Sequence, residues 1–162
     1  MIKSNFRNNI IYLTIFILIF AADRFSKLYI INLAGIDDSL NLYVTSFLNF
    51  YLIWNKGIAF GLFSFDKNFI YTSITFLIIF ITLIILIFAI RSDDYKGYFL
   101  IIIFSGSIGN LCDRIYYSAV PDFIDLHIKG YHWFIFNVAD IFITIGVICL
   151  ILDELFSYKK NK

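Results

Sequence analysis

A chain of 162 residues has room for one domain, and this one is 60% hydrophobic and only 15% charged. Twenty Phe, eleven Tyr and a strongly positive mean hydropathy are more apolar surface than a soluble core of that size can hide, so the expected solvent is lipid. The net charge of +1 excludes the basic stripe that an electrostatic nucleic-acid binder requires.

The first predicted span covers about residues 10–31, with Asp23, Arg24 and Lys27 in its second half. Its start resembles a secretory signal, because Lys3 and Arg7 precede the apolar run Ile10–Ala22. Phe20, however, fills a position that a cleavage site reserves for a small residue, and the helical pattern continues past it. An uncleaved span is expected. Residues 40–63 then alternate short stretches rich in Tyr, Phe, Val and Ile with Asn, and NKG and FG supply turns. A small sheet at the interface and a plain interfacial loop both fit this composition.

The second span, about 70–90, is an uninterrupted membrane-length run followed by RSDDYK. The third, about 98–114, reaches the roughly 20 residues of a bilayer crossing only if its polar end SGSIGNLCDR is included. That end is therefore expected to be helical and buried against protein. The 115–132 connection carries interfacial aromatics and the single proline, Pro121, which stiffens the backbone before Asp122. The fourth span, about 133–154, has Asn137 and Asp140 near its start. With four spans both termini share a side, and that side holds Lys3, Arg7, Arg91, Lys96, Lys159, Lys160 and Lys162. The opposite loops hold only Lys56, Lys67 and Lys129, so the positive-inside rule puts both termini in the cytoplasm and the polar span ends outside.

Carboxylates beside a bilayer core are costly and persist where something uses them. Asp122 in VPDFID and Asp140 in FNVAD arrive from different segments at the same face, which suggests a shared site. Two close carboxylates cannot both ionise cheaply, so a pair supplies a general base and a general acid for hydrolysing an amide. Helical spacing gathers further polar groups: Asp23 with Lys27, Asn110 with Arg114, and Asn137 with Asp140 each share a helix face. Arg114 offers either a donor fork for a carbonyl or a partner for the adjacent Asp113, and Gly57 beside Asn55 permits close backbone approach to a ligand. His127 and His132, with Asp122 and Asp125, raise a metal site, but H-E-x-x-H is absent and a five-residue spacing fits no common helical ligand pair. No G-x-S-x-G is present, and Ser105 and Ser107 beside Gly106 read as close helix packing. Cys112 and Cys149 read as small core residues. The rival class is a small ion transporter using Asp23, Asp122 and Asp140, although four spans are few and no inverted repeat is visible.

Five blocks, DRFSK at 23–27, NKGIAFG at 55–61, GNLCDR at 109–114, VPDFID at 120–125 and FNVAD at 136–140, together resemble the motifs of the bacterial lipoprotein signal peptidases, the signal peptidase II family. They stand in the family's order over most of the chain, with Pro121 where an aliphatic residue is common. The resemblance implies an all-α polytopic membrane protein of four transmembrane helices, with a small extracytoplasmic β-cradle and a short extracytoplasmic helical segment. It implies an aspartyl endopeptidase of the bacterial inner membrane that cleaves prolipoproteins before the diacylglyceryl-modified cysteine. Asp122 and Asp140 match the catalytic positions; Asn55, Gly57, Asn110, Arg114 and Asn137 match substrate-binding and orienting groups; Asp23, Lys27 and Gly109 match supporting ones. The expected partners are lipid-modified precursors and the bilayer, with no metal or organic cofactor, no nucleic acid, and a monomeric enzyme.

Overall fold

The computed structural model describes residues 6–35, 40–56, 67–128 and 131–160. In chain order they form α1 (Phe6–Ala34), β1 (Asn41–Thr45), β2 (Leu48–Asn55), α2 (Lys67–Arg91), α3 (Lys96–Tyr117), β3 (Val120–Ile128), β4 (Tyr131–Phe136) and α4 (Val138–Lys160). Three helical stretches, Asn8–Ala34, Phe69–Arg91 and Lys96–Tyr117, are long and apolar enough to cross a bilayer. Their outward faces carry Leu13, Leu18, Phe25, Phe69, Phe80 and Phe88 in the open, as a lipid-facing surface requires.

α3 is the hub: α1, α2 and α4 all pack against it. The polar end of the third span is helical as expected, and Ser105, Gly106, Gly109 and Asp113 within it are buried. Small residues there permit close contact, because without a hydrophobic drive in lipid, helices associate through packing and polar contacts. A Cβ on Gly106 would stand 2.6 Å from the backbone oxygen of Ala139 and 2.8 Å from Ile143 Cγ1. The Ser105 hydroxyl donates to its own helix, to the Ile101 carbonyl at 2.6 Å, so it is not a free nucleophile.

The four strands form one antiparallel sheet in the order β1-β2-β3-β4. Its apolar side closes on the end of α1, where Ile30 and Ala34 pack with Leu52 and Phe123. Both readings of residues 40–63 resolve in favour of a sheet as far as Asn55. Two elements differ from expectation. Residues 133–136, assigned from sequence to the start of the fourth span, belong with Tyr131 and His132 to strand β4, and α4 begins only at Val138. A short apolar run such as YHWFIF has no length to distinguish helix from strand, and pairing with β3 decides it. The expected short extracytoplasmic helix has no counterpart among the described residues, and Gly57 lies outside them. Pro121 sits where β3 is paired on one side only, since β4 joins from Ile124 onward, so the missing N–H is tolerated.

Gly106→Ala should destabilise the protein by about 1–3 kcal/mol, because the atom it meets is backbone and cannot rotate away. A lower thermal midpoint of the purified protein in detergent checks this; an unchanged midpoint would show that α3 and α4 can separate without cost.

Candidate active site

Four charged side chains lie together between α1 and α3. Asp23, Lys27 and Asp113 are almost completely buried, and Arg24 is partly so. The Lys27 ammonium has three protons, and it donates to Asp23 Oδ2 at 2.9 Å, Asn110 Oδ1 at 2.8 Å and Asp113 Oδ2 at 2.7 Å. Arg24 Nη2 stands 2.6 Å from Asp113 Oδ1 and 3.4 Å from Asp23 Oδ2. Two cations meet two anions, so the cluster is neutral as a whole. Asp23 also accepts the Ala139 backbone N–H at 3.0 Å, which ties α1 to the first turn of α4. A Cβ on Gly109 would lie 2.5 Å from Asp23 Oδ2, so this glycine is what lets α3 approach the carboxylate.

Asn110 carries the order of that cluster outward. Its oxygen must face Lys27, which can only donate, so its nitrogen faces the other way and donates to Asp140 Oδ1 at 2.8 Å. Asn137 and Asp140 form a reciprocal cap at the start of α4. The Asp140 N–H donates to Asn137 Oδ1 at 3.1 Å, and the Asn137 N–H donates to Asp140 Oδ2 at 3.1 Å. Asp140 is thereby fixed at the positive end of the helix dipole, with donors on both oxygens.

Asp122 comes from β3 and is 5% exposed. Asn137 Nδ2 donates to its Oδ1 at 2.6 Å, and Asn55 Nδ2, at the end of β2, donates to its Oδ2 at 2.9 Å. Asn137 therefore touches both carboxylates, one through its side chain and one through its backbone. Burial pushes the Asp122 carboxyl up to about 6, against the pull of the hydrogen bonds from Asn55 and Asn137, and the charge of Asp140 adds to the rise. Asp122, Asp140, Asn55, Asn110, Asn137, Lys27 and Asp23 thus form one connected set.

Arg114 does not join it among the described residues. Its carbonyl accepts from the Tyr71 hydroxyl at 3.0 Å, while Nε and Nη1 are enclosed and make no hydrogen bond. Nor does Arg114 pair with Asp113. Adjacent helix residues point to different faces, and Asp113 turns inward to Lys27 and Arg24. From sequence, Asp113 is weighed only as a partner for Arg114, and Arg24 is given no role. The available signal was that Asp113 lies three residues after Asn110 and so shares its face, as Asp23 and Lys27 share theirs. Cys112 and Cys149 are partly buried free thiols.

Comparison with known proteins follows the same lines. The family model described as Signal peptidase (SPase) II matches residues 15–156. The chain is similar to the lipoprotein signal peptidase of Pelagibacter ubique (strain HTCC1062), 55% identical over 98% of this chain and 96% of that protein. It is also similar to the lipoprotein signal peptidase of Anaplasma phagocytophilum (strain HZ), 37% identical over 92% of this chain and 94% of that one. A bacterial membrane enzyme solved by the in meso method at 2.3 Å resolution superposes with a TM-score of 0.76 at 31% identity, covering 100% of this chain and 96% of its own. A second, solved the same way at 1.9 Å, gives 0.74 at 32% identity. These comparisons lend no support to the transporter reading.

Lys27→Met should cost about 3–5 kcal/mol, since it leaves Asp23 and Asp113 buried with too little positive charge. The loss should appear as a lower unfolding midpoint and poor recovery from membranes. A variant as stable as the parent would refute the view that this ammonium holds α1 and α3 together.

Proposed function

The chain belongs to the signal peptidase II family, the lipoprotein signal peptidases, and from that premise we propose that it is an aspartyl endopeptidase whose catalytic pair is Asp122 and Asp140. As a member of that family it is a multi-pass bacterial membrane protein that removes signal peptides from prolipoproteins. The observation that carries the finer reading is the contact of Asn137 with both carboxylates, the arrangement of two acids sharing one polar frame.

The two aspartates divide the work by environment. Asp140 is held by hydrogen bonds on both oxygens at the start of α4, which fixes its position as the base that takes a proton from the attacking water. Asp122, buried and with its carboxyl raised, holds the proton that passes to the scissile carbonyl oxygen and then to the leaving nitrogen. Asn55 and Asn137 orient Asp122, Asn110 and Asn137 orient Asp140, and the enclosed donors of Arg114 are suited to a substrate carbonyl. Asp23, Lys27 and Gly109 support this frame from behind, and Gly57 is assigned to substrate binding by its motif alone.

α4 serves as the fourth crossing, with Ile145, Ile148 and Ile151 on its open face. The positive-inside rule then places both termini in the cytoplasm of the inner membrane and the aspartates at the periplasmic side. A diacylglyceryl group stays in the bilayer and so delivers the bond before its cysteine to that boundary. The proposed enzyme acts as a monomer, and its peptide hydrolysis draws on no metal, organic cofactor or nucleic acid.

Asp122→Asn and Asp140→Asn should each slow cleavage of a diacylglyceryl-modified precursor by about 100-fold or more while the protein remains inserted, and the parent should leave the unmodified precursor uncut. Normal processing by either variant would end the dyad assignment. The raised carboxyl of Asp122 keeps its proton through weak acid and loses it as pH rises through about 6. Accordingly kcat/KM should fall above that point by up to about tenfold per pH unit. A profile flat from about pH 5 to about pH 8 would contradict Asp122 as the acid.

A further inference from the structure

Away from the dyad, the β3–β4 hairpin brings three potential ligands onto one face. Asp125 and His127 alternate along β3, so their side chains leave the strand on the same side. His132 of β4 is the cross-strand partner of His127, and the two rings stack with centroids 5.2 Å apart and 25° between planes. The five-residue spacing that fits no helix is the spacing of a cross-strand pair on β3 and β4.

A ligand atom from each of Asp125, His127 and His132 lies within 4.8 Å of the others. His132 Nδ1 is 2.8 Å from Asp125 Oδ2, and His127 Nδ1 is 3.9 Å from the same oxygen. A tetrahedral zinc with bonds of about 2.0–2.1 Å sets its ligands about 3.3 Å apart, between those two values. Shifts of about half an ångström would open room for an ion.

Two further observations separate this cluster from a simple His–Asp ion pair. The Asp125 side chain is 3% exposed, which is deep for a carboxylate whose partner His132 is more than half exposed. His127 Nδ1 is enclosed, makes no hydrogen bond among the described residues, and lies 3.9 Å from Asp125 Oδ2. A buried ring nitrogen without a partner is unfavourable, and a shared cation would satisfy it. Access exists through a recess of about 360 Å³ lined in part by Asp125 and His132, with Asn41, Asn49 and Tyr51.

We propose that Asp125, His127 and His132 form a binding site for a divalent transition-metal cation of the zinc class, which clamps β3 to β4 outside the catalytic pair. Two imidazoles and one carboxylate suit zinc, copper or nickel and disfavour magnesium or calcium. The site takes no part in peptide hydrolysis, so it stands or falls independently of the dyad.

Isothermal titration of the metal-free full-length protein in detergent, with any affinity tag removed, should show saturable zinc binding at one site per chain that excess magnesium does not displace. His127→Ala and His132→Ala should each weaken it by at least about ten-fold while leaving precursor cleavage in place. X-ray absorption of the zinc-loaded parent should report two imidazole nitrogens in the coordination sphere, a readout that does not depend on any variant folding. No saturable binding, binding unaltered by both substitutions, or a sphere without imidazole would each overturn the proposal.

Discussion

The rest of this molecule depends on a buried ammonium. Lys27 places a charge on a helix where almost no solvent reaches it, and it is tolerable only because all three of its protons are used. Asp23 and Asp113 supply charge, Arg24 brings the sum to neutrality, and Asn110 accepts the third hydrogen bond. A network of this kind in low dielectric is strong when complete and costly when any member is missing. It joins α1 to α3 through side chains and α1 to α4 through the Ala139 N–H, so three helices are aligned by one set of contacts.

That alignment reaches the proposed catalytic pair through amide orientation. Asn110 has one oxygen and one nitrogen end, and Lys27 decides which faces inward. Its nitrogen then meets Asp140, whose position is already limited by the reciprocal cap with Asn137. Asp122 arrives independently, on a strand held by β2 and the end of α1, and Asn137 bridges the two. A helix N-terminus and a sheet thus each contribute one carboxylate, in different surroundings. Each accepts two hydrogen bonds, but Asp122 is buried on a strand, whereas Asp140 is only partly buried at a helix N-terminus. The asymmetry suits two groups that must differ in protonation to act together.

The helices were legible because lipid imposes a length rule: 70–90 is an uninterrupted apolar run, and only a helix can satisfy its backbone there. The helical, buried end of α3 followed from the same rule, since 98–114 is too short without it. The start of α4 was not legible. Residues 133–136 are apolar enough to open a span, and nothing local announces that they belong to a strand paired with β3. The inward turn of Asp113 was equally hidden, because its partners Arg24 and Lys27 stand nearly ninety positions earlier on another helix.

By itself the amino-acid sequence determined the membrane class, the placement of the apolar helices, the polar groups that share a helix face, and the five blocks that mark the family. Each is a consequence of composition, of hydrophobic run length or of spacing along one element. Tertiary structure alone decided that Asn137 contacts both aspartates, that Lys27 sets the direction of Asn110, that Arg114 stands apart with donors unpaired among the described residues, and that two histidines meet across a hairpin. These are relations between elements distant in sequence. Hydrogen-bond geometry fixes them within tenths of an ångström, whereas hydrophobic pattern says only which face of each element turns inward.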